Sequence, residues 1–383
     1  MLRFLTAGES HGKALTAIIE GFPAGIPVDE KMINRQLRKR QGGYGRGKRM
    51  EIEEDQVEFL AGIRNGETLG SPITILIKNK DWENWQKIMQ AEPEADIITR
   101  KVTKPRPGHA DLSGSIKYGF ADIRNVLERA SARETAIRVA VGAVCKCLLE
   151  QFEIKIFGHV IRIGSVSCRP QYGMLTEELY ETPLYCTDDA ATGEMIRLID
   201  TAKEQGDSIG GVVEVTAFHV PIGIGSHVHW DRRLDGRITQ GVMSIPGIKG
   251  VEIGLGFSGA ELLGSQVHDE IFYSAAQGFY HNTNNSGGIE GGISNGENVV
   301  IRAAMKPIPT LYKPLQSIDI ATKEKHLATV ERSDTCAVAA ASIVAEGVVS
   351  WEIARAFLEK FSGDSLHEIK DSFQRYKTYL RQV

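Results

Sequence analysis

KPRPGHADLSGSIKYGFADIRNVLERASARETA, residues 104–136, is a polar segment punctuated by glycines that runs directly into an apolar helical pattern. It gathers Arg106, His109, Arg124, Arg129 and Arg133 in one stretch. Beyond it Ile137, Ala140, Val141, Val144 and Leu148 recur at helical spacing, and Ser131 with Glu134 has the Ser-x-x-Glu form of a capping box. A helix start offers unpaired N–H groups and the positive end of the dipole, so it suits an anion. Arg129 and Arg133 flanking that start make it a candidate phosphate site. The alternative is a capped surface helix with solvated arginines, and the local density of Arg and His weighs against it.

The pattern has an echo near the other end of the chain. Glu331-Arg332-Ser333-Asp334-Thr335 opens a second long Ala/Val-rich helical run, residues 336–349, as Glu128-Arg129-Ala130-Ser131 opens the first. Two such openings before two buried helices point to a duplicated core with pseudo-twofold symmetry. The register after the arginines is not kept.

The rest of the chain alternates strands and helices. Residues 3–21 read as two strands around the polar turn Gly8-Glu9-Ser10-His11-Gly12, and residues 28–40 as a helix with Ile33 and Leu37 inward. A glycine-rich loop carrying Arg46, Lys48 and Arg49 follows. Strand patterns occupy residues 57–63, 72–77, 154–163, 210–218 and 299–305, and helical ones 195–204, 234–244 and 366–380. The polar segment 78–100, with Trp82 and Trp85, reads as a surface excursion. Residues 281–296 are rich in Gly and Asn, but lack both the strand–GxGxxG–helix arrangement and the P-loop ending. Lys306-Pro307-Ile308-Pro309-Thr310 is a loop stiffened by its prolines. In residues 366–380 the apolar stripe suits packing on the core or on a partner subunit.

Composition is ordinary for a globular protein: 383 residues, 42% hydrophobic and 25% charged, with 40 Gly and 13 Pro. No linker divides it, so a single domain over residues 1–383 is expected. Net charge is −4, which argues against nucleic acid as partner, yet residues 35–49 hold seven basic residues and no acid. A local basic loop on an acidic protein suits a small anion. The RGG-like look of residues 41–50 is a single copy and weak evidence for RNA. The 5 cysteines form no Cys-x-x-Cys pair, which argues against a disulfide framework or a zinc site. His227 and His229 share a strand face, but no nearby Cys or acid completes a metal set. No signal peptide or membrane span is recognisable, so a cytoplasmic location is expected.

The glycine loops therefore collect Arg40, Arg46, Arg49, Arg106, Arg133 and Arg332, with His11, His109 and Asp334. Arginine binds carboxylate and phosphate bidentately and does not titrate, and so many guanidinium groups in one site call for a ligand of several negative charges.

Taken together, Leu5-Thr6-Ala7-Gly8-Glu9-Ser10-His11-Gly12, Gly45-Arg46-Gly47-Lys48-Arg49-Met50, Arg106-Pro107-Gly108-His109-Ala110-Asp111, residues 129–136, residues 286–292 and Glu331-Arg332-Ser333-Asp334 resemble the motifs of the chorismate synthase family, in order along the chain. The resemblance implies an α/β sandwich, with antiparallel sheets around long central helices, and a homotetramer. It implies a carbon–oxygen lyase of the shikimate pathway, on the route to the aromatic amino acids. That enzyme converts 5-enolpyruvylshikimate 3-phosphate to chorismate and phosphate by anti 1,4-elimination, with reduced FMN and no net reductant.

Carried over onto this chain, the family pattern gives Arg40, Arg46, Arg49, Arg106, Arg133 and Arg332 to the substrate. It sets FMN against Arg129, Ala130, Ser131, Pro246, Gly247, Gly291, Lys306, Pro307, Ile308, Pro309, Thr310 and Arg332, and pairs Arg40 and Arg46 with NADPH. Many relatives carry Asn-Ala at 246–247, and Pro-Gly removes a side-chain hydrogen-bonding group there. Protonated His11 is expected to assist phosphate departure, His109 to keep the flavin's protonation state, and Asp334 to assist proton transfer at the flavin. No extra flavin-reductase segment is recognisable, so an outside reductant is expected. The rival readings are an FMN-dependent oxidoreductase acting on a phosphorylated carboxylate, which would consume NADPH in proportion to product, and a non-catalytic nucleic-acid binder resting on residues 35–49.

Overall fold

The computed structural model describes residues 2–47, 54–331 and 333–383. Strands Arg3–Ala7 (β1) and Ala14–Glu20 (β2) form the expected antiparallel pair around the His11 turn, with Thr6 opposite Ala17. Helix Glu30–Gln41 (α1) starts at Asp29, whose side chain accepts from the Lys31 N–H. Strands Glu58–Ala61 (β3) and Ile73–Lys78 (β4) complete an antiparallel four-stranded sheet in the order β1-β2-β4-β3. A two-turn helix, Asp111–Tyr118 (α2), precedes the first long helix, Thr135–Glu150 (α3).

The second half repeats this plan. Strands Lys155–Ile163 (β5) and Val166–Ser167 (β6), helix Asp189–Glu204 (α4), strand Gly211–Phe218 (β7), helix Leu234–Met243 (α5), and strands Ile248–Ile253 (β8) and Val299–Met305 (β9) follow. They build an antiparallel five-stranded sheet in the order β8-β9-β7-β5-β6. Number the main strands of each half one to four. Both sheets then have the order first, second, fourth, third, with a helix (α1 or α5) between the second and third strands and a long helix after the fourth. The second long helix is Val338–Lys360 (α6), and Leu366–Leu380 (α7) closes the chain with a Ser365–Glu368 capping box. The duplicated core is thus a matter of connectivity, even though the residue register is not kept.

The two long helices pack on one another between the sheets, α3 on β2 and β4 and α6 on β5 and β7. They touch backbone to backbone where Gly142 meets Gly347: a Cβ on Gly142 would lie 2.3 Å from the Gly347 carbonyl oxygen. One ion pair is buried between them. Lys146 Nζ lies 2.6 Å from Glu346 Oε1, while Glu346 Oε2 accepts from the Tyr180 hydroxyl at 2.6 Å and the Gly158 N–H at 2.7 Å. Such a pair is tolerated in an interior only when its remaining lone pairs are satisfied, as here.

Three expectations need correction. The Ser131–Glu134 capping box does not form: Ser131 Oγ accepts from the Arg133 N–H at 3.2 Å across a 3₁₀ turn, Ala132–Glu134, and Glu134 turns to Arg138. The second long helix runs well past residue 349, because Trp351, Ile353, Ala354 and Phe357 continue its buried face. Trp85 is buried rather than part of a surface excursion. Among the described residues no helix is long and apolar enough to cross a membrane.

Candidate active site

Both long helices begin at one cleft of about 1190 Å³. The turn after β1 brings Ser10 and His11 to it, and the loop after α1 brings Gly45, Arg46 and Gly47. The segment before α2 supplies Arg106, Gly108 and His109, the start of α3 supplies Ala130 to Arg133, and the approach to α6 supplies Asp334 and Thr335. The far wall is the end of α5 with Met243, Ile245, Pro246 and Gly247, and the end of β9 with residues 305–310. Two helix N-termini opening on one cavity favour negative charge inside it.

Each histidine is backed by a buried carboxylate. His11 Nδ1 lies 2.9 Å from Glu128 Oε2, and the His11 backbone N–H donates to the same oxygen at 2.9 Å. Arg124 Nη1 donates to the other oxygen at 2.8 Å. Burial pushes the Glu128 carboxyl up, but its bonds to His11 and the Arg124 charge outweigh this and hold it below the usual range. The His11 ring is stacked on Trp85 with centroids 3.9 Å apart. The indole N–H donates to Asp81 Oδ2 at 3.1 Å, and the guanidinium groups of Arg100 and Arg124 lie 4.0 and 4.9 Å from its centroid.

His109 Nδ1 lies 2.5 Å from Asp111 Oδ1. Arg106 grips Asp111 bidentately, Nε to Oδ2 at 2.8 Å and Nη2 to Oδ1 at 3.1 Å, and donates through Nη1 to Thr310 Oγ1 at 3.2 Å. Burial alone would raise the Asp111 carboxyl; the bonds from His109 and Arg106 take it well below the carboxylate range.

The remaining cleft arginines also have acids of their own. Arg133 Nη1 donates to Asp55 Oδ2 at 2.7 Å and Nε to Asn79 Oδ1 at 2.9 Å, and Arg40 Nη1 lies 3.6 Å from the same Asp55. Arg40 Nε donates to Thr135 Oγ1 at 2.9 Å; burial, with the charges of Arg133 and Arg46, lowers its guanidinium to about 10 against the pull of Asp55. Arg46 Nη1 lies 2.8 Å from Asp334 Oδ2, and the Gly47 N–H donates to Asp334 Oδ1 at 2.7 Å. The internal acids therefore carry part of the compensation that the arginine count assigned to a ligand. Lys306 Nζ donates to the Gly108 carbonyl; burial, and then the Lys249 charge, lowers its ammonium.

The cleft thus brings together His11, His109, Asp334, Arg40, Arg46, Arg106, Arg133, Ala130, Ser131, Pro246, Gly247 and residues 306–310. Arg129 lies outside it, with Nη1 donating to the Gly8 carbonyl at 3.0 Å and Nη2 to Thr6 Oγ1 at 2.9 Å. Gly291 lies outside it as well, in the turn between the short strands Ile289–Glu290 and Ile293–Ser294. Arg49 and Arg332 fall outside the described residues. Glu128, Asp111, Asp55 and Trp85 were not among the expected site residues. Glu128 and Asp111 stood inside motifs already singled out, whereas Asp55 had no signal beyond being an acid after a basic run.

A family model described as chorismate synthase matches residues 2–358. A chorismate synthase of Desulforamulus reducens is 59% identical over 387 residues, covering 100% of both chains. Another, of Moorella thermoacetica, is 58% identical over 384 residues with the same coverage. A crystal structure titled as chorismate synthase superposes with a TM-score of 0.80 at 44% identity, covering 100% of this chain and 99% of that one.

Proposed function

Because the chain belongs to the chorismate synthase family, we infer that it is a carbon–oxygen lyase of the shikimate pathway, converting 5-enolpyruvylshikimate 3-phosphate to chorismate and phosphate by anti 1,4-elimination. The observation that carries the reading is the pair of imidazoles, each seated on a buried carboxylate, at one cleft lined with arginines. A substrate with one phosphate and two carboxylates matches that lining and the two helix N-termini.

Each residue's work follows from its neighbours. A carboxylate only accepts, so Glu128 keeps the proton of His11 on Nδ1, and Nε2, which faces Asp81 Oδ2 at 4.0 Å, is the nitrogen that exchanges at the departing phosphate oxygen. Asp111 does the same for His109, whose Nε2 is then free for proton exchange at the cofactor. Arg133 and Arg40, fixed through Asp55, bear on the leaving phosphate, where negative charge grows as the bond breaks. Arg46 and the Gly47 N–H orient Asp334 for proton transfer.

Reduced FMN is the proposed cofactor, and the far wall fits it. Pro246, Gly247, Met305 and Pro309 form an apolar strip. A Cβ on Gly247 would come within 3.2 Å of Met305, and one on Gly108 within 3.3 Å of Lys306 and 3.4 Å of Pro309, so the bare backbone keeps this wall open. Ala130, Ser131 and residues 306–310 would hold the flavin, with Lys306 and Lys249 supplying charge for its reduced, anionic form. What the reduced flavin supplies when bound is electron density, lent during elimination and recovered within the turnover. Arg129 and Gly291 would reach it only from a neighbouring copy, so the homotetramer is part of the proposal, as are an outside flavin reductant and a cytoplasmic location. NADPH contact at Arg40 and Arg46 is a further proposal, limited by the acids those residues already face.

The test is an anaerobic assay with catalytic reduced FMN and the phosphoester. Phosphate and chorismate should appear one for one while the flavin stays reduced. Consumption of NADPH in proportion to product would favour the oxidoreductase instead.

A further inference from the structure

Two cysteines 18 positions apart in the chain meet behind the arginine loop. The Sγ atoms of Cys168 and Cys186 are 3.4 Å apart, and both are thiols. Cys168 follows β6, its N–H donating to the Ile161 carbonyl at 2.9 Å. Cys186 follows Tyr185, which sits in the left-handed region at φ 56° and donates its hydroxyl to the Lys39 carbonyl at 2.8 Å. Pro183, in the same segment, accepts from the Tyr44 N–H at 2.8 Å. Residues 183–186 therefore prop the loop that carries Arg46 and Gly47, the two partners of Asp334.

We propose that Cys168 and Cys186 are a reversible dithiol–disulfide site, oxidised by peroxide, whose closure shifts the prop under the arginine loop and weakens the cleft. Cys168 is half-buried, so a small oxidant reaches the pair from its side; Cys186 is buried against it and stands two residues before Asp188, the N-cap of α4. The hydrogen bond with Cys168, aided by the Asp188 and Thr192 contacts against the effect of burial, favours the thiolate on Cys186. Cys145, Cys147 and Cys336 are buried like Cys186, but their thiols are pushed up, chiefly by burial.

The Cys186 thiolate attacks one oxygen of hydrogen peroxide, the O–O bond breaks, and hydroxide leaves. The Cys168 thiol then attacks the sulfenic sulfur, the S–S bond forms, and the sulfenic oxygen leaves as water. The protons released by the two thiols convert both hydroxyl equivalents to water, so two thiols and one peroxide give one disulfide and two waters. Bringing the sulfurs from 3.4 Å to a bond of about 2.05 Å draws residue 186 toward β6. Tyr185 and Pro183 move with it.

The purified full chain is treated with hydrogen peroxide, quenched with catalase, and divided between peptide mass mapping and the elimination assay with pre-reduced FMN. The expected result is a Cys168–Cys186 disulfide and a KM for the phosphoester raised about tenfold, both reversed by dithiothreitol. Cys168→Ser should show neither change, and Cys186→Ser is the second control should the first fold poorly. The proposal is overturned if peroxide gives no such disulfide in the wild-type chain, or if the disulfide forms and KM stays put.

Discussion

His11 Nδ1 and Glu128 Oε2 are 2.9 Å apart, and the carboxylate that fixes this imidazole is 2% exposed and also bonded by Arg124 and the His11 backbone. Glu128→Gln keeps the volume and removes the charge. With pre-reduced FMN, kcat should fall about 10²-fold, while KM for the phosphoester stays within about twofold because the arginines are untouched. A rise in KM at constant kcat would place Glu128 in binding instead.

Asp55 is buried between Arg40 and Arg133. Removing one partner of a buried ion pair leaves uncompensated charge, so Asp55→Asn should cost about 3–5 kcal/mol in denaturant unfolding. Inorganic phosphate should recover more stability in this variant than in the wild type, since an anion can stand in for the lost carboxylate. Equal recovery in both would contradict the pairing.

Gly142 and Gly347 face each other across the long helices, but not equivalently. A Cβ on Gly142 meets backbone at 2.3 Å, whereas one on Gly347 meets Val139 Cα at 3.4 Å, an ordinary contact. Gly142→Ala should therefore destabilise by about 1–3 kcal/mol or more, and Gly347→Ala by much less. Thermal unfolding of the two variants side by side decides this.

The Glu352 carboxyl is raised from 4.5 to about 7, first by burial and then by Glu359, against the arginines 355, 237 and 138. Its folded value lies above its unfolded one, so the folded state binds more protons between those values and stability falls as pH rises through that window. Glu352→Gln removes the group. Its Tm gain should be larger at about pH 8 than at about pH 5; equal gains at both would show that the side chain is not held protonated by its burial.

Local periodicity was enough for most of the main strands, though not for β8, and for the helix at 366–380 and the existence of both long helices, because alternation and Ala/Val runs report burial directly. It could not place the end of α6, where Glu352, Arg355 and Glu359 resemble a surface run while Trp351 and Phe357 stay buried. Trp85 read as surface for the same reason: its neighbours in sequence are polar, and the ring that covers it, His11, arrives from another strand pair. Ion pairing was the least legible. Arg133 and Asp55 are separated by 78 positions, and no spacing rule announces that a cleft arginine already has its acid.

The central claim is that two carboxylate-backed imidazoles handle protons in one cation-lined cleft. The most direct measurement is anaerobic turnover of His11→Ala and His109→Ala with pre-reduced FMN, beside an unfolding curve for each. The account requires kcat to fall by about 10²–10⁴-fold in each variant with the fold intact. Near-wild-type turnover in both would contradict it.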